Sequence, residues 1–524
     1  MGEYVVAVDV GTSSARAGVS DRQGRLLARS ACPIAMNREG AVFAEHSSTD
    51  IWAAVTACVR EAVSQAGIDP QAVDAIGFDA TCSLTFLDAD GQPLSVAKSG
   101  ADGWDTIAWL DHRAMDQAST LTKSGVESLR YSGDIVSPEM QLPKIMWVRD
   151  WLPEDVWQRA ATIIDLADFL TFRATGKLAR STSTLVAKWN YLGHDSSGWD
   201  ADLLRHGGLE RLREKSGIAG VPAPSGSAVG TLSPEAAIDL GLPERCKVAA
   251  GMIDAYAGTL ALTGVDPDAD DAVSLIGGTS SCVMRFSRQP HFLRAFWGPY
   301  FGAALPDHWI SEGGQSAAGA LLDHILRIHL GRPPVMADHE NVLGHVLAGL
   351  TRFGHDFGRN IHVLPDFHGN RTPIGDASML GSIHGLSLDT SFDGLAALYY
   401  RTMVALALGM RQTIQRMEQG QKPIRRLHLG GGHAKNPLFA HLYADATGRD
   451  VIVSAGEEAM LLGTAMTAAS AAGWHASLAD ACRAMQRHTE TVYHPNPANR
   501  AAFDRDYRIL LKMQQHRAEL AALE

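Results

Sequence analysis

An α/β protein built of two related halves is what this sequence predicts, on three observations. The phrase Gly11-Thr12-Ser13-Ser14 near the start returns as Gly278-Thr279-Ser280-Ser281 past the middle. Each copy follows an apolar run that reads as a strand, Tyr4 to Val8 in one case and Ala272 to Ile276 in the other, and each leads into another strand-like run. At 524 residues the chain exceeds what one core can organise, so two large domains, or two with an insertion, are expected. A Gly/Thr/Ser turn between strands exposes backbone N–H groups and hydroxyls with little bulk in the way, which suits phosphate oxygens. Either turn alone reads equally well as an ordinary hairpin turn. Two of them facing each other would grip one polyphosphate.

The first half opens as a meander of strands Tyr4–Val8, Ala15–Ser20 and Arg25–Ser30. Helical spacing of Ile51, Val55, Val59 and Val63 predicts a helix from Asp50 to Ala66, with Thr49 or Asp50 as its cap. A strand from Val73 to Phe78 then delivers Asp79-Ala80-Thr81-Cys82-Ser83. The region from Trp104 to about Gly241 is irregular, and its Trp147, Trp151, Trp157, Trp189 and Trp199 read as packing residues. A strand at Cys246–Ala250 ends in Gly251-Met252-Ile253-Asp254-Ala255. The acidic connector Asp266–Asp271 sets a boundary near residue 265, giving domains 1–265 and 266–524. The second half closes with strand Leu427–Leu429, the triple glycine Gly430–Gly432, a helix from Pro437 to Thr447, strand Val451–Ser454, an Ala-rich helix over Ala459–Ala472 and a charged helix from Pro497 to Leu520.

Composition narrows the partners. Hydrophobic content of 46% and charged content of 20% describe an ordinary globular protein, and the net charge of −12 argues against nucleic acid. The short Lys422, Arg425, Arg426 cluster fits a solvated helix-to-strand junction. The six cysteines are scattered without a CxxC pair and read as reduced thiols of a cytoplasmic protein. No signal peptide is expected, because the start enters a strand at once, and no membrane span either, because the Ala459–Ala472 stretch falls short of the ~20 residues a crossing needs. His324, His329, His339 and His345 have no metal-ligand spacing.

Four segments in this order, Asp9-Val10-Gly11-Thr12-Ser13-Ser14, Gly251–Ala255, Gly277–Ser281 and Gly430-Gly431-Gly432-His433-Ala434-Lys435-Asn436-Pro437-Leu438, resemble the FGGY carbohydrate kinases, and Trp109-Leu110-Asp111-His112-Arg113 resembles that family's WxDxR segment. The resemblance covers nearly the whole chain. It implies two ribonuclease-H-like α/β domains of the actin, hexokinase and heat-shock chaperone superfamily flanking a deep cleft. In such proteins the first domain binds mainly sugar and the second mainly ATP, and homodimers are common. No Walker-type GxxxxGK[ST] sequence is present, in keeping with strand-turn-strand phosphate cradles.

Phosphoryl transfer asks for positioning, charge neutralisation and a group that takes the hydroxyl proton. Asp254 matches the family's catalytic Asp; on its own residues it reads rather as a helix N-cap. Asp9, beside a phosphate turn, is of the type that orders Mg²⁺ through water. The resemblance assigns Thr12 and Ser13 to the transferred phosphoryl, Gly278 and Thr279 to the β and γ phosphates of ATP, and Gly431, Gly432 and Asn436 to adenine, where a helix-entry turn is the plainer reading. Thr81-Cys82-Ser83-Leu84 resembles the segment that marks the D-ribulokinase branch, with Thr85 where that branch has Val. Lys188 and Glu312 resemble its sugar-contacting Lys and Glu, although Lys188 also reads as a surface lysine beside Trp189. The segment from Asp366 to Pro373 reads as a lid or structural loop. The expected activity is ATP-dependent phosphorylation of a pentulose, D-ribulose foremost, with L-ribulose, ribitol or another pentulose or pentitol as near alternatives. A non-kinase ATPase on the same scaffold is the alternative of a different class.

Overall fold

Strand parity explains how the first unit is organised. In this computed structural model, which describes residues 2–40, 42–218, 220–454, 458–486 and 490–523, the chain divides into two compact units. The first comprises Met1–Ala269, Phe286–Ser311 and Glu458–Arg487; the second comprises Asp270–Arg285, Glu312–Glu457 and His488–Glu524.

The first unit's main sheet runs in the order Ala228–Thr231, Lys247–Ala249, Val73–Ala80, Tyr4–Val10, Ser14–Asp21, Leu26–Pro33. Tyr4–Val10 pairs antiparallel with Ser14–Asp21 and parallel with Val73–Ala80. Successive strand residues face opposite ways. Val6, Val8 and Val10 therefore join Ile76, Phe78 and Ala80 in one core with the helix Ser48–Ala66. Gly77 and Asp79 alternate with them, and a methyl at Gly77 would stand 2.8 Å from the Thr464 carbonyl, so that face meets the helix Ala459–Ala472. The same helix packs closely on Asp254–Thr263: a methyl at Gly463 would lie 1.7 Å from the Ala257 carbonyl.

The second unit repeats the plan. Ala272–Gly277 pairs antiparallel with Ser281–Ser287 and parallel with Arg426–Gly431, and Asp450–Ser454 and Glu490–Tyr493 extend the sheet. The helices Phe392–Met417, Pro437–Thr447 and Arg500–Ala521 belong to this unit. Both copies of the Gly-Thr-Ser phrase thus turn a hairpin whose first strand is flanked by a parallel partner. The turns differ in closure: the Gly11 N–H donates to the Ser14 carbonyl at 3.0 Å, whereas the Gly278 N–H donates to the nearer Ser280 carbonyl at 2.8 Å.

Most predicted elements extend by one or two residues. The helix cap is a correction: Ser47, not Thr49 or Asp50, caps Ser48–Ala66, its hydroxyl accepting the Asp50 N–H at 3.3 Å. The tryptophans divide as well, since Trp147, Trp189 and Trp199 are buried whereas Trp151 is 66% exposed. Among the described residues no helix is long and apolar enough to cross a membrane.

Candidate active site

Asp9 and Asp79 stand opposite each other near the C-terminal ends of adjacent parallel strands, in register. Both are buried. Arg16 Nη1 donates to Asp9 Oδ2 at 3.2 Å, and the Thr464 hydroxyl donates to Asp79 Oδ2. Asp79 Oδ1 is buried and accepts no hydrogen bond among the described residues. Burial raises Asp9 above the usual carboxylate range against the pull of Arg16. It raises Asp79 well above that range, with the charges of Asp9 and Asp254 adding to it. The two carboxyl groups share a hydrogen bond, and once both are ionised the pair fits a hard divalent cation, which takes oxygen ligands and needs only one or two carboxylates. Among the described residues no group of three or more His, Cys, Asp or Glu has metal-binding geometry.

Asp254 opens the helix Asp254–Thr263 and is half-buried; its Oδ1 accepts the Ala255 N–H at 2.7 Å. Ile253 holds the N-cap position of that helix, so Asp254 is its first residue rather than its cap. Cys82 is buried in the same unit. Burial pushes its thiol up to about 11, with Lys188 and Lys144 opposing and Asp254 and Glu139 adding to the rise. Lys188 ends the helix Thr182–Lys188 and is 3% exposed, so it is no surface lysine. Thr81 is buried, with its hydroxyl 3.0 Å from that of Ser83.

The first hairpin turn is anchored through Thr12, whose hydroxyl accepts the Trp109 indole N–H at 2.9 Å, while Ser13 is exposed. The buried Lys144 ammonium donates to the carbonyls of Ala108 and Trp109 at 3.0 and 3.2 Å and so fixes the segment that carries the indole. Asp111 and Arg113 of the same segment pair through two hydrogen bonds of 2.8 and 2.7 Å and are wholly buried, which makes them structural partners.

Glu312, Gly278, Thr279, Gly431, Gly432 and Asn436 belong to the second unit. The carbonyls of Gly278 and Thr279 accept N–H groups at the start of the helix Gly319–Leu330, at 2.9 and 3.1 Å, and the Thr279 side chain is exposed. Gly431 has φ of 74°, and a methyl there would lie 2.5 Å from the Gly277 carbonyl, so the close strand approach requires glycine. Gly432 is exposed, and Asn436 caps the helix Pro437–Thr447 through the Leu438 N–H at 3.0 Å. Cys282 Sγ donates to Glu312 Oε1 at 3.4 Å, and Arg371 Nη1 lies 4.0 Å from the same oxygen. Thr372 Oγ1 bonds the Gly314 backbone, so the segment from Asp366 to Pro373 braces the Glu312 strand.

Sequence reasoning passed over Asp79, Thr464, Lys144 and Arg371 as individuals. A signal for the first existed: Val8-Asp9-Val10 and Phe78-Asp79-Ala80 both end an apolar strand with an aspartate at the same parity. The other three reach their positions by tertiary packing.

His433 offers a pH test within the glycine loop. Its ring stacks on Phe439 at 4.0 Å, Nδ1 meets the Tyr443 hydroxyl at 2.9 Å, and burial lowers it from the ordinary 6.5 to about 4. Above pH 6.5 the ring is neutral folded or unfolded. Between 6.5 and 4 only the unfolded chain gains the proton, so stability is lost as pH falls, by about 3 kcal/mol across the window. Urea titrations at stepped pH should show that loss in wild type and a shallower slope in His433→Gln; equal slopes would refute it.

The two-unit α/β arrangement with paired hairpin turns is the fold of solved sugar kinases: the ligand-bound xylulose kinase from Lactobacillus acidophilus superposes with a TM-score of 0.80 at 20% identity, covering 98% of each chain. Residues 4–261 match the N-terminal domain and residues 273–472 the C-terminal domain of the FGGY family of carbohydrate kinases. The chain belongs to that family, and is therefore a phosphotransferase of the ATP-using kinase class. It is similar to an FGGY carbohydrate kinase domain-containing protein of Danio rerio, 39% identical over 99% of both chains. It is also 33% identical to a D-ribulokinase of Saccharomyces cerevisiae, over 90% of this chain and 72% of the relative.

Proposed function

We propose that the enzyme transfers the γ-phosphoryl group of ATP to the terminal hydroxyl of D-ribulose, giving D-ribulose 5-phosphate and ADP. One observation carries the reading. The D-ribulokinase-like segment Thr81–Leu84 follows the strand Val73–Ala80, and its Thr81 and Cys82 are buried in the same compact unit as Asp254 and the buried Lys188. The likeness to the yeast D-ribulokinase supports the same substrate.

In this reading the Asp254 carboxylate takes the hydroxyl proton while the sugar oxygen attacks the γ-phosphorus, and the bond from that phosphorus to the β–γ bridging oxygen breaks as ADP leaves. Lys188 and Glu312 hydrogen-bond sugar hydroxyls, and such a site rejects analogues that leave its buried polar groups unpaired. Thr12 and Ser13 donate to the transferred phosphoryl, Gly278 and Thr279 to the β and γ phosphates, and Gly431, Gly432 and Asn436 border the adenine. Sugar thus falls mainly to residues 1–265 and ATP mainly to residues 266–524. Mg²⁺ held by Asp9, and by Asp79 beside it, would neutralise charge on the phosphates.

The test is ADP release with Mg-ATP across D- and L-ribulose, D- and L-xylulose, ribitol, glycerol and no sugar. Turnover strongest with D-ribulose is expected; preference for another polyol would overturn the substrate, and equal rates without sugar would overturn the kinase reading. Thr279→Val should raise the KM for ATP roughly tenfold, the worth of one hydrogen bond to a charged group, and leave sugar affinity by calorimetry almost unchanged. Weaker sugar binding instead would overturn the division between the halves.

A further inference from the structure

The structure assigns to Trp297 the task of holding the Lys188 ammonium in place. Lys188 Nζ lies 3.7 Å from the centroid of the Trp297 ring. Both side chains are buried, at 3% and 6% exposure, so the ammonium meets the ring with little water between them. A cation over an indole face is drawn by the ring quadrupole, and the attraction grows when the pair is desolvated. An indole face fixes the position of an ammonium without taking up an N–H donor in a directed bond.

The position of the ring is itself secured. Trp297 opens the strand Trp297–Phe301, which pairs with Trp309–Gln315 at one end of the sheet that holds Ser281–Ser287 and Ala272–Gly277. The Ala295 N–H donates to the Gly133 carbonyl at 2.8 Å, and a methyl at Gly133 would stand 2.1 Å from the Phe296 carbonyl. Backbone meets backbone there, immediately before the tryptophan. Family resemblance supplies the lysine; the ring comes from a distant stretch of chain, and no local motif announces the pair.

Trp297 is thus a positioning residue that acts through Lys188, and the inference rests on the reading of Lys188 as a sugar ligand. A double-mutant cycle on the full-length enzyme separates the two. D-ribulose affinity is measured by calorimetry without nucleotide, alongside kcat and both KM values, for Trp297→Leu, Trp297→Phe, Lys188→Met and the double variant. Trp297→Leu should weaken sugar affinity about 5- to 30-fold with the KM for ATP unchanged. Trp297→Phe, which keeps a ring face, should recover most of it and guards against a folding defect. In the Lys188→Met background Trp297→Leu should add less than about twofold, since its action passes through the lysine. The full loss persisting in that background, or Phe behaving like Leu, would overturn the role of Trp297 and leave Lys188 as a sugar ligand intact. Unchanged sugar affinity in Lys188→Met alone would instead overturn the lysine's role, and the inference with it.

Discussion

Asp254→Asn should lower kcat with D-ribulose by about 10²- to 10⁴-fold, the usual worth of a positioned general base, with ATP affinity retained. The amide is nearly isosteric, and its oxygen can still accept the Ala255 N–H that Asp254 Oδ1 accepts at 2.7 Å. The start of the helix Asp254–Thr263 therefore survives the exchange. What the amide cannot do is take a proton at neutral pH. The measurement is single-turnover ADP formation beside calorimetric titration with ATP. Retention of more than a few per cent of turnover would remove Asp254 as the base, and loss of ATP binding would mark the residue as structural.

Arg180→Met should cost about 3–5 kcal/mol of stability, the toll of leaving buried charges unpaired. Arg180 Nε donates to Asp168 Oδ2 at 2.7 Å and Nη2 to Asp165 Oδ2 at 2.8 Å, with all three side chains buried. Burial already raises Asp165 to about 6, with Arg180 opposing the rise, so removal of the guanidinium leaves two carboxylates that burial drives toward protonation. Asp165 also accepts the Trp189 indole N–H at 2.5 Å, which carries the damage to the residue beside Lys188. Urea unfolding should register the loss, and Arg180→Lys should restore little, because one ammonium cannot reproduce a two-sided fork. A change below about 1 kcal/mol would refute the account.

Much of the fold was legible because its elements carry local signals. The Ala-rich helix Ala459–Ala472 ends at Gly473 in the left-handed region, and Pro437–Thr447 begins with proline after an Asn cap; both stand about where the sequence predicts them. The helix start at Ser48 was missed because Ser47, Thr49 and Asp50 are all good caps, and tertiary packing chose among them. Membership of the two units was harder. Strand and helix periodicity say nothing about which sheet face a distant segment covers, so the helix Ala459–Ala472 reads as part of the second half although it packs on the first unit's sheet. The same limit hid Trp297 from Lys188 and Thr464 from Asp79. Asp9 and Asp79 could have been paired, since strand parity alone puts them on one face.

The route of the chain through the first unit has a consequence for biosynthesis. The helix Ala459–Ala472, which covers the Asp9 and Asp79 face of the first sheet, leaves the ribosome only after nearly all of the preceding chain. At about 5–20 residues per second, a sheet begun at Tyr4 waits roughly 25–90 seconds for its cover. During that interval the face of the sheet that this helix meets stands uncovered, and a chain truncated before Glu458 would lack that cover while keeping the core on the opposite face.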